Sequence, residues 1–127
     1  MIMVIVADMG HVYLVARVEN PVEGISGEYR FMIDTGASYM ILREREFREL
    51  KLKPIGTVKL TLADGRMLEA PIAPVKVYAM DREAMVFAAQ VESPMPLFGA
   101  PTLEALGLAV DPSTGKVKPS RPAALML

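Results

Sequence analysis

Apolar and polar positions in this chain alternate in short runs of strand length. Val4 to Ala7 and Val12 to Glu19 are two extended candidates, and Asp8-Met9-Gly10 between them supplies turn chemistry, so the pair reads as a hairpin. Asn20-Pro21 and Gly24 to Gly27 punctuate the chain as a loop. Glu28 to Ile33 follows as a strand ending in an unbroken apolar run, and Tyr39 to Leu42 resumes the apolar pattern. Thr57 to Ala63 alternates, with Val58, Leu60 and Leu62 against Thr57, Lys59 and Thr61, the period of a half-buried strand. Asp64-Gly65 is a strong hairpin signal, and Arg66 to Tyr78 returns as the second strand. Pro71 and Pro74 interrupt that return. Proline cannot donate to a ladder, so the strand is expected to be bent or to lie at an edge. Asp81-Arg82 turns the chain, Ala84 to Val91 is a further strand, and Val110 to Val117 reads as strand, turn, strand.

Two stretches read as helices. In Arg43 to Leu50, Glu44 precedes Arg48 by four residues and Phe47 shares a face with Leu50, leaving the charges as a solvated face. Near residue 100, Thr102 is a candidate N-cap, although Ala100-Pro101 can also begin the turn; Leu103, Leu106 and Leu108 suit a short helix and Gly107 its end. No internal repeat or linker shows, so the expectation is one domain over residues 1–127. Many short strands with few helices argue all-β, and this pattern does not choose between barrel and sandwich.

Composition narrows the chemistry. The chain has 127 residues, 52% of them hydrophobic, which suits one well-filled core. Fourteen basic residues against 15 acidic ones form no basic stripe, which argues against a nucleic-acid partner. There is no Cys, hence no disulfide, no thiol nucleophile and no Cys-based metal site, and the single His11 builds no cluster. Carboxylate chemistry is what remains among common hydrolytic designs. Met1 to Ala7 is apolar but lacks a basic leader and is too short to span a bilayer, so a membrane is not expected and a cytoplasmic location is. Arg121 to Leu127 ends apolar; it either packs on the core or a partner, or frays.

The most informative stretch is Phe31-Met32-Ile33-Asp34-Thr35-Gly36-Ala37-Ser38. It puts a carboxylate at the mouth of a buried strand, which is costly unless hydrogen-bonded, and a tight turn allows its own N–H groups to do this. Glycine at position 36 suits a sharp turn. Taken alone, Asp34 is either a turn residue or strand-end cap, or an acid placed for chemistry. A second stretch runs from Pro96-Leu97-Phe98-Gly99 through Ala100-Pro101-Thr102 to Leu108, two apolar residues and a glycine leading into a short helix.

Asp34-Thr35-Gly36-Ala37-Ser38 resembles the active-site loop of the aspartic peptidases. Leu97-Phe98-Gly99 is similar to that family's second landmark, and the resemblance covers residues 10–118. A single motif in a short chain resembles the retropepsin-like branch, which implies an acid-protease barrel with a flap hairpin and one or two short helices. It also implies a homodimer, because one chain carries one catalytic acid. Two Asp34 carboxylates about 3 Å apart cannot both ionise, so they share one proton, the ionised member acting as base and the protonated one as acid. In this reading Thr35 bonds across the two-fold axis, Gly36 lets the backbone approach carboxylate and substrate, and Ala37 and Ser38 keep the loop small. Ala63, Asp64, Gly65 and Arg66 become the flap over a peptide or protein substrate, where the plain alternative is a surface hairpin. Ile33, Leu97 and Ala100 are candidate pocket walls. No metal and no cofactor is implied. The implied activity is aspartic endopeptidase, with a catalytically silent peptide-binding or dimerisation module as the alternative. The flap carries one glycine, and Ala100-Pro101 stands where viral relatives carry an Arg-containing sequence; in these respects the chain looks like cellular and prokaryotic relatives.

Overall fold

The computed structural model describes residues 4–6, 11–62 and 64–121. The first long hairpin joins β2 (Val12–Glu19) to β3 (Ser26–Ile33), and β1 (Val4–Val6) lies along the other side of β2. The expected turn at residues 8–10 lies outside the described residues. After β3 come β4 (Met40–Leu42), α1 (Glu44–Glu49), β5 (Gly56–Thr61), β6 (Met67–Ala79) and β7 (Arg82–Gln90). The chain then forms β8 (Leu97–Phe98), α2 (Ala100–Ala105) and a terminal hairpin of β9 (Leu108–Asp111) with β10 (Lys116–Pro119).

Pairing closes a barrel of six strands in the order β2-β3-β8-β4-β7-β6, the last joining β2 through Arg17 to Glu19. Two of its contacts are parallel, β3 with β8 and β4 with β7, so β8 lies between the strands that enter and leave the Asp34 loop. β1 and β5 hang outside the closed ring as added strands. Closure leaves few sheet edges unpaired, which suits a small β domain.

The strand periodicity is realised as burial. Val12, Leu14, Ala16 and Val18 point inward from β2, and Ala73, Val75, Val77 and Ala79 do so from β6. Phe31, Met40, Leu42, Phe98 and Leu106 are fully buried in the same cluster. A smaller cluster of Ile41, Ala70 and Ala89 carries Val58, Leu60 and Leu97 beneath the β5–β6 hairpin.

β6 runs unbroken through both prolines. Its first half pairs with β5 up to Ile72, its second half pairs with β7 from Ile72, and β2 joins from Lys76. Pro71 therefore faces only β5 and Pro74 only β7, so each sits where one side of the strand is open. That is the local edge a residue without an N–H needs. The turn after β6 is Met80-Asp81, both in the left-handed region (φ 51° and 60°), with Ala79 opposite Arg82. This two-residue turn matches the twist of a hairpin and shifts the expected turn back by one residue.

Both short helices form with adjusted ends. The N-cap of α2 is Gly99, not Thr102; Ala100 and Pro101 open the helix, and Thr102 is buried within it. Proline is tolerated there because the first-turn N–H groups lack helical partners anyway. The helix is spent by Leu106, and Leu108 belongs to β9. Arg82 is buried beside this end and donates to the carbonyls of Leu106 (3.1 Å), at the helix end, and of Gly107 (2.8 Å), which also accepts the Ser120 N–H (2.8 Å). In α1 the charges are not all solvated: Glu46 is 1% exposed and its carboxylate is held by the Arg43 guanidinium at 2.6 Å. Glu44 and Arg48 do pair on the open face at 3.0 Å, a contact of small energetic weight.

Candidate active site

The Asp34 loop is built by zipping two distant segments together. Met32 donates its N–H to the Pro96 carbonyl (3.0 Å) and Asp34 donates to the Phe98 carbonyl (2.8 Å). Beneath them the rings of Phe31 and Phe98 meet with centroids 4.5 Å apart, both fully buried. The apolar run before Asp34 and the Leu97-Phe98 landmark therefore form one parallel ladder, which fixes where the loop starts.

The loop then turns tightly. Ala37 donates its N–H to the Asp34 carbonyl at 3.0 Å, and Gly36 donates its own to Asp34 Oδ1 at 3.0 Å. One carboxylate oxygen is thus held by the turn, as expected for an acid at a strand mouth. The other, Oδ2, has no hydrogen-bond partner among the described residues. Asp34 is half-buried, whereas Thr35 and Ser38 are exposed. Among the described residues their hydroxyls make no hydrogen bond.

The two glycines of the landmarks differ in what requires them. A Cβ on Gly99 would overlap the Ala37 carbonyl and stand 3.1 Å from the Tyr39 carbonyl, so the loop lies directly on this residue. Gly36 is outside the left-handed region, and a Cβ there would meet only Asp34 Oδ1, at 3.4 Å. The expectation that Gly36 serves an unusual backbone angle is not met: among the described residues neither conformation nor space requires glycine at that position.

Asp34 opens on a cleft of about 790 Å³ between its loop and the β5 side of the flap hairpin. Gly36, Ala37, Ser38 and Tyr39 line it on one side, Lys59, Leu60, Thr61 and Leu62 on another, and Val91, Glu92, Ser93 and Leu97 on a third. Leu97 thus lines the cleft as expected, while Ile33 and Ala100 are not among its walls. At the hairpin tip Leu62 donates to the Arg66 carbonyl (2.7 Å) and Gly65 to the Leu62 carbonyl (2.9 Å). The exposed Asp64 carboxylate accepts the Arg66 backbone N–H (3.0 Å) and its guanidinium Nε (2.6 Å). Those bonds, the backbone one foremost, hold the Asp64 carboxyl below the usual carboxylate range. Asp64, Gly65 and Arg66 lie beyond the cleft's walls, and Ala63 lies outside the described residues.

Sequence reasoning missed the wall formed by residues 91–93 and the anchor behind it. Arg43 donates to the Pro94 carbonyl (3.2 Å) while its guanidinium also holds Glu46, and Glu92 accepts the Glu44 N–H (2.8 Å). The start of α1 thereby clamps the cleft wall. The contacts join residues about 50 positions apart, and no local pattern announces them. Among the described residues no three acidic or His side chains converge as metal ligands, and no helix is long and apolar enough to cross a membrane.

A closed barrel with a flap hairpin and an Asp-Thr-Gly loop docked on a second strand is the retropepsin-like fold, and solved structures bear this out. The retropepsin-like aspartic protease from Rickettsia conorii superposes with a TM-score of 0.60 at 24% identity, covering 87% of this chain and 85% of that one. The EIAV protease complexed with the inhibitor HBY-793 gives 0.56 at 18% identity, covering 73% and 85%. The simian foamy virus (mac) protease gives 0.54 at 14% identity, covering 72% and 91%. A search of curated proteins returns no match. The sequence profile of a family described as aspartyl protease matches residues 18–92, more than half of the chain, and the chain belongs to that family. The match includes the Asp34 loop and the flap hairpin and stops short of Leu97.

Proposed function

We propose that this chain is one half of an aspartic endopeptidase, a single domain that works as a homodimer with Asp34 as its catalytic acid. The observation that carries the reading is the state of the Asp34 carboxylate. One oxygen is fixed by the Gly36 N–H, and the other, without a hydrogen-bond partner among the described residues, belongs to a residue that lines a large cleft. A second Asp34 brought to that free oxygen by a two-fold axis would complete a pair that shares one proton.

The ionised member takes a proton from water as its oxygen attacks the scissile carbonyl carbon. The protonated member gives its proton to the carbonyl oxygen. The resulting gem-diol collapses as the carboxyl now protonated gives its proton to the amide nitrogen, the carboxylate now ionised takes a proton from one diol hydroxyl, and the C–N bond breaks. The pair, not either residue, sets the pH response.

The loop's exposed side supports the same reading. Gly36 has open space that its own chain does not need, and the Thr35 hydroxyl is exposed, as groups facing a partner loop or a substrate would be. β5 is the outer strand of the hairpin above the cleft, and among the described residues its outer edge pairs with no strand, which suits the main chain of an extended peptide.

The test is cleavage of extended peptides by purified protein beside Asp34→Asn, with both run in sedimentation. The wild type cleaves, the variant loses about 10²–10⁴-fold in rate, and both sediment as dimers. Equal rates in the two proteins, or a wild type monomeric at every concentration, would remove the proposal.

A further inference from the structure

Next to the cleft lies a second hollow of about 200 Å³, lined by Ser38, Tyr39, Val86, Phe87, Pro101 and Thr102. It shares Ser38 and Tyr39 with the cleft that holds Asp34, so the two spaces adjoin across the residues that leave the Asp34 loop. We propose that this hollow is a distal substrate subsite that takes one apolar side chain of a bound peptide, beyond the residues flanking the scissile bond. The inference rests on the reading of the Asp34 cleft as a peptide site.

Size, wall chemistry and position argue for that occupant. Small-molecule sites run to about 300–1,000 Å³; a hollow of 200 Å³ is of side-chain scale. None of its walls is an Asp, Glu, Lys or Arg, so a charged side chain entering it would lose water without gaining a counter-charge. The aromatic ring of Phe87 is 46% exposed on the outer face of β7, although β7 buries Ala88 and Ala89 immediately after it. Tyr39 is brought beside it by the parallel pairing of β4 with β7, in which Met40 lies opposite Ala88. An extended chain places successive side chains on opposite faces. A peptide leaving the cleft past Ser38 therefore presents alternate side chains toward this hollow. In a two-fold dimer each subunit supplies one hollow, so both ends of the substrate meet the same preference.

The experiment compares peptides that carry Leu, Ala or Asp at each position beyond the two residues flanking the cleaved bond, with wild type and Phe87→Ser. The expected result is a kcat/KM about tenfold higher for Leu than for Ala at one distal position, with Asp lower still. In Phe87→Ser the Leu-to-Ala ratio falls toward one. A ratio near one in the wild type, or one that Phe87→Ser leaves unchanged, overturns the subsite. A statine-containing peptide with the same Leu, Ala and Asp replacements, titrated by calorimetry, decides the point independently of turnover. If no peptide is cleaved the endopeptidase reading fails, while the calorimetric Leu-to-Ala ratio still upholds or overturns the hollow: about tenfold in wild type and near one in Phe87→Ser upholds it, and equal affinities overturn it.

Discussion

The Cβ that Gly99 lacks would occupy the space of the Ala37 carbonyl oxygen, so the Asp34 loop rests against the residue that begins α2. The neighbouring bond from the Asp34 N–H to the Phe98 carbonyl makes the same join by hydrogen bonding. Position of the acid is therefore set by a segment more than 60 residues later in the chain.

Gly99→Ala tests this join. A methyl forced against backbone cannot be relieved by a rotamer change, and overpacking of this kind costs about 1–3 kcal/mol. The variant is expected to unfold at lower urea and to lose peptide cleavage by a larger factor than its loss of folded protein explains. Wild-type stability with full cleavage would show that the loop does not depend on this contact.

Gly36→Ala separates folding from assembly. Its backbone is outside the left-handed region and its Cβ direction is nearly open, so alanine fits the single chain. Under dilution to monomer its stability should match the wild type or exceed it by up to about 1 kcal/mol, because alanine restricts the unfolded chain. Dimerisation in sedimentation and peptide cleavage should both weaken. An alanine variant that dimerises and cleaves like the wild type would mean that the space beside Gly36 serves no partner.

Arg43→Met removes the guanidinium from the Glu46 carboxylate, which is 1% exposed, and leaves it the backbone N–H of residue 43 at 2.7 Å. Loss of one partner of such a pair is expected to cost about 3 kcal/mol in chemical denaturation. The double variant Arg43→Met with Glu46→Leu should recover much of that loss, because an apolar pair leaves no buried charge. A single variant as stable as the wild type would show that Glu46 reaches water.

The flap tip carries its own pH signature. Asp64 is held below the usual carboxylate value by the Arg66 N–H and guanidinium, so its bonds contribute above the unfolded value of about 3.9. They are lost only as the pH falls through the lower folded value. The turn should therefore stay clasped while ordinary aspartates are taking up protons. Carbon-detected titration of the Asp64 carboxyl should place its midpoint below 3.9, moving part of the way back in Arg66→Ala. A midpoint at the ordinary value would show that the clasp does not form in solution.

Sequence pattern alone was enough for most strands, the hairpin at Asp64-Gly65, the helix pair and the all-β class. Each rests on neighbours within a few residues: the alternation Val58, Leu60, Leu62, the Asp64-Gly65 turn, and the apolar run ending at Asp34. The hold on the Asp34 carboxylate was legible for the same reason, since Asp34-Thr35-Gly36 is contiguous and its own turn supplies the N–H. Where local signals competed, neighbours in space decided. Thr102 lost the cap to Gly99 because Gly99 sits where only hydrogen fits against Ala37. Pro71 and Pro74 stayed within one strand because β6 changes partners between them.

Tertiary structure alone placed the walls. Burial of Glu46, the clamp from Arg43 to Pro94, the cleft face of residues 91–93 and the hollow shared by Tyr39, Phe87 and Pro101 all join segments distant in sequence. Local propensity carries no record of such meetings, because a charge run reads alike whether water or a carboxylate faces it. Strand order around the closed barrel decides which it is.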